Sequence, residues 1–141
     1  MTRVISQFFI HCSASDNPNH DDIEVIRDWH LQNGWKDIGY HYFIAKDGTL
    51  QEGRDEKLKG AGVLGFNDHS IHICLSGRFS FTFAQAMTLH ALLYDLKDRY
   101  PRATVDPHRM FSPNKTCPNF TDKFLFENGG IDGYEVKRKE R

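Results

Sequence analysis

Residue types that bind transition metals occur at two places in this 141-residue chain. His11 ends an apolar run over residues 3–11, which predicts a buried strand whose last side chain reaches the edge of a sheet. His108 and Cys117 follow the last long helical pattern. Two imidazoles and a thiolate suit Zn²⁺, and three protein ligands leave the fourth position for water, as in catalytic zinc sites. The same set also describes a blue-copper site, for which Met110 is the nearby axial candidate.

The elements that position these residues alternate between strand and helix patterns. The order β-α-ββ-β-α predicts an α/β fold with a central mixed β-sheet flanked by helices. The first predicted elements are a strand over 3–11 and a helix from Asp22 to a stop at Asn33-Gly34. Two strands, from Tyr40 to Ile44 and from Thr49 to Glu52, form a hairpin joined across 46–48. A strand from Ser70 to Leu75 precedes a helix that runs from a capping box at 82–85 to Pro101. We expect one domain over 1–141, with its core at about 3–126 and a tail over 127–141 whose last five residues form a solvated, mobile end.

Charge and cysteine content exclude several classes of protein. Eighteen basic and nineteen acidic residues give a formal net charge of −1, so a basic nucleic-acid-binding surface is not indicated. The N-terminus has no signal-peptide pattern and no stretch is long enough for a membrane helix, which favours a cytoplasmic protein. Three widely spaced cysteines do not suggest a disulfide framework.

Five blocks of sequence in a fixed order resemble the type 2 N-acetylmuramoyl-L-alanine amidases, the family that includes peptidoglycan recognition proteins and short phage endolysins. These blocks are 9–15 (FIHCSAS), 34–42 (GWKDIGYHY), 47–54 (DGTLQEGR), 70–77 (SIHICLSG) and 115–118 (KTCP). The resemblance covers roughly residues 5–120 and is greatest to small single-domain phage lysozyme-amidases.

The resemblance implies a zinc site formed by His11, His108 and Cys117, with Tyr40 and Lys115 as the catalytic pair. It implies hydrolysis of the amide bond between the lactyl group of N-acetylmuramic acid and L-alanine in peptidoglycan. A developing oxyanion would gain from an added donor, and removing one such donor typically costs about 10²–10³ in rate.

Three further residues are candidates for substrate binding. Arg54 suits a bidentate contact with a peptide carboxylate, although a surface ion pair is an equal alternative. Asn67 and His69 are candidates for lining the cleft. Strand alternation predicts that Tyr40 lies on the same face as Tyr42, and a half-buried packing role for Tyr40 stays open.

Two departures from the family pattern concern the same cleft. Many relatives have Gly-Ala-His where this chain has 60–62 (GAG), and many have glycine at the position of His72. His69 or His72 is therefore a candidate to replace the missing imidazole. Cys74 occupies a place where cytoplasmic recycling amidases carry a glutamate, which favours the endolysin or recognition-protein branch.

The resulting hypothesis is a phage or prophage endolysin that accumulates in the bacterial cytoplasm and reaches the wall by a holin-type route. We expect a monomer whose partner is peptidoglycan or a muropeptide, with no direct binding to nucleic acid or membrane. The alternative is a binding or regulatory module with little catalysis, since small phage amidases also bind and restrain a phage RNA polymerase. His30, His41 and His90 are expected to be packing or helix-surface residues.

Overall fold

The strands and helices of the described part of the chain follow the predicted order, with one further strand after the last helix. The structure is a computed structural model and describes residues 3–107 and 136–139. Its strands and helices are β1 (Gln7–Cys12), α1 (Ile23–Gln32), β2 (Tyr42–Ile44), β3 (Leu50–Glu52), β4 (Ser70–Leu75), α2 (Phe83–Arg99) and β5 (Thr104–Pro107). Short 3₁₀ turns span Pro18–His20 and Asn67–His69.

The strands form one mixed sheet in the order β3-β2-β4-β1-β5. β1 pairs in parallel with β4 and β5, and β2 pairs in parallel with β4, whereas β2 and β3 form the predicted antiparallel hairpin. This arrangement confirms the predicted fold class. β5 was not predicted, because a four-residue edge strand that contains Asp106 and Pro107 lacks the composition of a strand.

The two faces of the sheet pack against different helices. One face joins α2 in the larger hydrophobic cluster, which includes Phe8, Ile10, Ile44, Ile71, Ile73, Leu75, Leu89 and Leu96. The other face joins α1 in a smaller cluster of Ile23, Ile26, Ile38, Phe43, Ala45 and Cys74, with Trp29 and Tyr40 packed against it. Successive side chains of β1 and β4 therefore point alternately to the α2 face, which is largely apolar, and to the α1 face, which also carries polar rings.

The helix cap and the turns predicted from the sequence are present in the structure. The carboxylate of Asp22 accepts a hydrogen bond from Glu24 N at 2.8 Å and caps α1, which ends before Gly34 in the left-handed region (φ 88°). In the β2–β3 turn, Asp47 Oδ1 accepts from Thr49 N at 2.9 Å. Neighbouring Gly48 has φ 86°, which a residue with a Cβ rarely adopts.

The described residues at the end of the tail are exposed, as predicted, but they are hydrogen-bonded to the sheet. Leu50 N donates to Lys137 O at 2.7 Å, and Lys139 N donates to Leu50 O at 2.9 Å, so these residues pair beside β3. Lys139 Nζ also lies 3.1 Å from a carboxylate oxygen of Asp22. The edge of β3 offers backbone hydrogen-bond partners to these residues. Their basic composition alone does not indicate that they pair with a strand. Over residues 3–107 and 136–139, no helix is both long and apolar enough to span a membrane.

A buried glutamine joins the start of α2 to the sheet. Thr82 and Gln85 form the predicted capping box, with Thr82 N donating to Gln85 Oε1 at 2.9 Å. The side-chain amide of Gln85 also donates to Ile44 O at 3.1 Å and to Ser76 O at 2.8 Å. Gln85 is fully buried, so its hydrogen bonds link the start of α2 to backbone acceptors in the interior.

We expect Gln85→Ala to lower the free energy of unfolding by about 2–3 kcal/mol, because it removes the side-chain donor to Ile44 O and Ser76 O and half of the cap. Urea denaturation measures the change. The matched control is Gln32→Ala at the exposed end of α1, for which we expect a change within about 0.5 kcal/mol. Equal effects of the two substitutions would contradict the anchoring role.

The carboxylate of Glu56 links the end of α2 to strand β2 of the sheet. Arg99 donates to both oxygens of Glu56, at 2.6 and 2.8 Å, and the hydroxyls of Tyr42 and Tyr100 donate to the same carboxylate. Partial burial opposes ionisation of Glu56, but the hydrogen bonds from Arg99 and Tyr42 outweigh it and lower its pKa to about 2. The ionised form therefore stabilises the folded chain.

This lowered pKa predicts a stability contribution that is complete above about pH 4.5 and is lost as the pH falls toward 2. Glu56→Gln should destabilise the protein near pH 6, and the difference from wild type should shrink between pH 5 and pH 3. Denaturant unfolding of both proteins across that range gives the comparison. A difference that stays constant with pH would show that the charge of Glu56 is not what stabilises the fold.

Candidate functional site

His11 lies at the carboxyl end of β1, on the face of the sheet that packs against α1. It is 1% exposed, and its register partner on β4 is Cys74. The ring of Tyr40 lies 5.0 Å away and the ring of His72 also lies 5.0 Å away, measured between centroids. The structure thus brings together two residues singled out from sequence, His11 and Tyr40, and adds His72 beside them.

A row of hydrogen bonds connects these rings to the loop before β4. His11 Nε2 lies 2.9 Å from His72 Nδ1, and His72 Nε2 lies 3.0 Å from Ser70 Oγ. The Ser70 hydroxyl donates to Phe66 O at 2.8 Å. We call these four residues the relay. Each of its buried polar groups has a partner, as buried groups require.

The His72 ring is enclosed on both faces and along one edge. It stacks on Phe9 at 5.5 Å and on His41 at 5.8 Å, and its exposed fraction is 0%. A Cβ on Gly62 would lie 2.3 Å from His72 Nδ1, and one on Gly60 would lie 2.7 Å from His72 Cδ2. The two departures at positions 62 and 72 therefore meet in space, because the imidazole of His72 occupies the room that a side chain at position 62 would need.

His41 has the packing role that we predicted. Its Nδ1 accepts from His72 N at 3.0 Å, and its Nε2 faces Leu58 O at 2.8 Å. Burial lowers the pKa of His41 to about 4, with the positive charges of Arg3 and Arg54 adding to the effect. A neutral His41 thus joins the loop after β3 to β4.

Tyr40 lies on the opposite side of the sheet from Tyr42, contrary to the prediction from alternation. Tyr40 packs with the α1 cluster, whereas Tyr42 belongs to the α2 cluster. β2 begins only at Tyr42 and the chain bends at His41, so the two-residue period does not extend back to Tyr40. Burial raises the pKa of the Cys74 thiol well above its usual range, and a hydrogen bond from the Tyr40 side chain opposes the increase.

The predicted substrate residues have different surroundings. Arg54 donates to Lys59 O at 2.7 Å and lies near Asp37 O at 3.4 Å, so its guanidinium organises loops beside Tyr40. Burial lowers the pKa of His30, and the positive charge of Arg54 lowers it further. The ring of His30 is 5.3 Å from that of Tyr40.

Asn67 and His69 lie in the segment before β4. Asn67 Oδ1 accepts from the backbone N–H groups of Gly62 and Val63, each at 3.1 Å, and so shapes the loop over His72. His69 is exposed, with Nδ1 3.1 Å from Val4 O, and it precedes the amino end of β4. His11 lies near the opposite, carboxyl end of the neighbouring strand β1, and each strand residue adds about 3.3 Å of length. The structure therefore does not bring His69 together with His11.

Three predicted residues, His108, Lys115 and Cys117, lie outside the described residues. Within the described ranges, no group of three or more His, Cys, Asp or Glu side chains is arranged to hold a metal ion. Sequence reasoning marked His72 as a departure from a pattern and, with His69, as a candidate to replace the missing imidazole. Its contact with His11 was not foreseeable, because 61 residues separate the two rings in the chain.

Comparisons with known proteins agree with this fold. The endolysin of Enterobacteria phage K11 is 39% identical over 123 residues, covering 82% of this chain and 81% of that protein. The N-acetylmuramoyl-L-alanine amidase LysC from Clostridium intestinale superposes with a TM-score of 0.78 at 29% identity, covering 86% of this chain and 82% of that one. Bumblebee PGRP-SA superposes with a TM-score of 0.73 at 26% identity, covering 84% and 79%. The family model described as N-acetylmuramoyl-L-alanine amidase (Amidase_2) matches residues 1–120, and the chain belongs to this family.

Proposed function

We propose that this protein is a zinc-dependent amidase that hydrolyses the bond between the lactyl group of N-acetylmuramic acid and L-alanine in peptidoglycan, and that it acts as a phage or prophage endolysin. The observation that carries the proposal is the register of two neighbouring strands. β1 and β5 are parallel, with Ile10 opposite Pro107. In the sequence, Ile10 is followed by His11 and Pro107 is followed by His108, which are two of the three proposed ligands.

The described part of the site fits a zinc ligand at His11. The ring is buried, it lies at a strand end, and one of its nitrogens is bonded to a neighbouring side chain. Metal-binding histidines usually have this arrangement, in which the second nitrogen is held by a polar partner. The proposed set is completed by His108 and Cys117 from the segment after β5. Bound zinc would supply Lewis acidity and lower the pKa of a coordinated water.

The residues of the chain would assist the addition of water to the lactyl carbonyl. Tyr40, beside His11, and Lys115, two residues before Cys117, are the proposed donors to the oxygen that becomes negative as the bond to water forms. The C–N bond then breaks, the carbonyl carbon retains the hydroxyl of water, and the L-alanine nitrogen leaves with a proton. Arg54 and Asn67 are the proposed substrate contacts.

The proposed place of action is the cell wall of the host bacterium. The 39% identity to a phage endolysin over most of both chains supports it. A second candidate, peptidoglycan binding without hydrolysis, is favoured by the superposition with PGRP-SA. The two functions differ in their products, so one assay separates them.

The decisive measurement is mass spectrometry of purified sacculi treated with the protein, with and without a chelator. We expect stem peptides with a free N-terminal L-alanine and intact glycan strands, and we expect their release to stop when zinc is removed and to return when zinc is restored. Zinc-loaded protein that sediments with sacculi of several chemotypes but releases no peptide would instead establish the binding function.

Substitution of the proposed ligands makes the metal assignment testable. His11→Ala and Cys117→Ala should each abolish stoichiometric zinc in the purified protein together with peptide release. The control is His90→Ala on α2, which should retain one zinc and full release. Full zinc content in either ligand variant would overturn the proposed site.

Tyr40→Phe tests whether the hydroxyl takes part in the reaction or only packs. If the hydroxyl donates to the oxyanion, its loss should reduce kcat by about 10²–10³ while zinc content stays unchanged. An unchanged kcat would limit Tyr40 to packing against His11 and Cys74.

A further inference from the structure

The relay from Phe66 to His11 determines which nitrogen of each imidazole carries a proton. A carbonyl oxygen only accepts, so the single proton of the Ser70 hydroxyl is used on Phe66 O. Ser70 Oγ must then accept from His72, which places an N–H at His72 Nε2. Because burial disfavours a charged imidazole, the other nitrogen, Nδ1, is an acceptor.

The last step of the relay concerns His11. Since His72 Nδ1 accepts, the proton between the two rings lies on His11 Nε2. A neutral His11 with its proton on Nε2 has its lone pair on Nδ1. This tautomer is the one that binds a metal through Nδ1 without having to move a proton first.

We propose that His72 is a positioning residue for the zinc site, which holds His11 through the relay in the tautomer and ring orientation that direct Nδ1 to the metal. The proposal rests on the proposed function, in which His11 is a zinc ligand. Partners of metal-binding histidines typically change metal affinity by about 10–100-fold when they are removed.

Packing gives the His72 ring little freedom to adopt another arrangement. Phe9 and His41 enclose its faces, and the backbone N–H of His72 is itself bonded to His41 Nδ1. Gly62 closes the edge at Nδ1, the atom that contacts His11. The loop carrying Gly62 is in turn held by Asn67. The position of the acceptor is therefore set by several elements at once.

Two substitutions at position 72 separate hydrogen bonding from shape. His72→Phe keeps a ring between Phe9 and His41 but removes the acceptor for His11. His72→Asn has an oxygen that can take the place of Nδ1. We expect zinc affinity, measured in the full-length protein by competition with a chromophoric chelator, to fall about 10–100-fold in His72→Phe and to stay near the wild-type value in His72→Asn.

Nuclear magnetic resonance supplies a readout that does not depend on activity. Long-range ¹H–¹⁵N spectra of the zinc-loaded protein should show His11 with a proton on Nε2 and the metal on Nδ1, in wild type and His72→Asn. Zinc on His11 Nε2 in the wild type, or unchanged affinity in His72→Phe, would overturn the proposal. If His72→Phe does not fold, Ser70→Ala breaks the same relay with almost no change in shape and should lower affinity in the same direction.

The outcome for the proposed function is distinguishable from the outcome for the relay. Wild-type protein that binds no zinc refutes the proposed function and the role of His72 in metal binding, whatever the tautomer of His11. Wild-type protein that binds zinc and releases peptides, with His72→Phe equal to it in affinity, leaves the amidase intact and refutes only the positioning role.

The contact between positions 62 and 72 gives an independent check. Gly62→Ala should lower both zinc affinity and melting temperature, because its Cβ would displace the His72 ring from His11. In a His72→Gly background the same substitution should have little effect, because the ring is absent. Equal effects of Gly62→Ala in both backgrounds would show that His72 does not occupy the space at Gly62.

Discussion

A buried imidazole needs a partner at each of its nitrogens, and much of the arrangement on the α1 face of the sheet follows from meeting that need at His72. Its Nε2 requires Ser70, whose hydroxyl proton must then be used on Phe66 O. Its Nδ1 requires His11. Leaving any of these groups unpaired inside the protein would cost about 1–3 kcal/mol, so the bonds add to the backbone pairing of β1 with β4 and hold the loop before β4 against them.

The sheet divides stability and chemistry between its two faces. The α2 face buries most of the large aliphatic side chains, and Gln85 and Glu56 fasten the two ends of α2 to it. The α1 face has a smaller apolar cluster and carries the histidine rings. Because the first face supplies the larger hydrophobic cluster, the second can accommodate polar rings, which contribute less hydrophobic stabilisation per unit of buried area.

Parallel neighbours bring distant parts of the chain to one edge of the sheet. β1 lies between β4 and β5. The carboxyl ends of these three strands, which are far apart in sequence, therefore lie close together. In open sheets with parallel strands, this edge is the usual place for a site. His11, one of the proposed metal ligands, lies near this edge, one residue before the end of β1.

The sequence by itself determined the features that depend on neighbouring residues. Caps at Asp22 and Thr82, the turn at Gly48 and the extents of β4 and α2 follow from local backbone preferences, and five ordered blocks were enough to indicate the family. Only the tertiary structure decided the remaining features. β5 is too short and too rich in strand-breaking residues to be predicted, the pairing of Lys137 and Lys139 with β3 depends on a free sheet edge, and Tyr40 changes face because of a bend at His41. The two departures at His72 and Gly62 prove to be in direct contact, because an imidazole from one strand and a side chain from a distant loop cannot fill the same space.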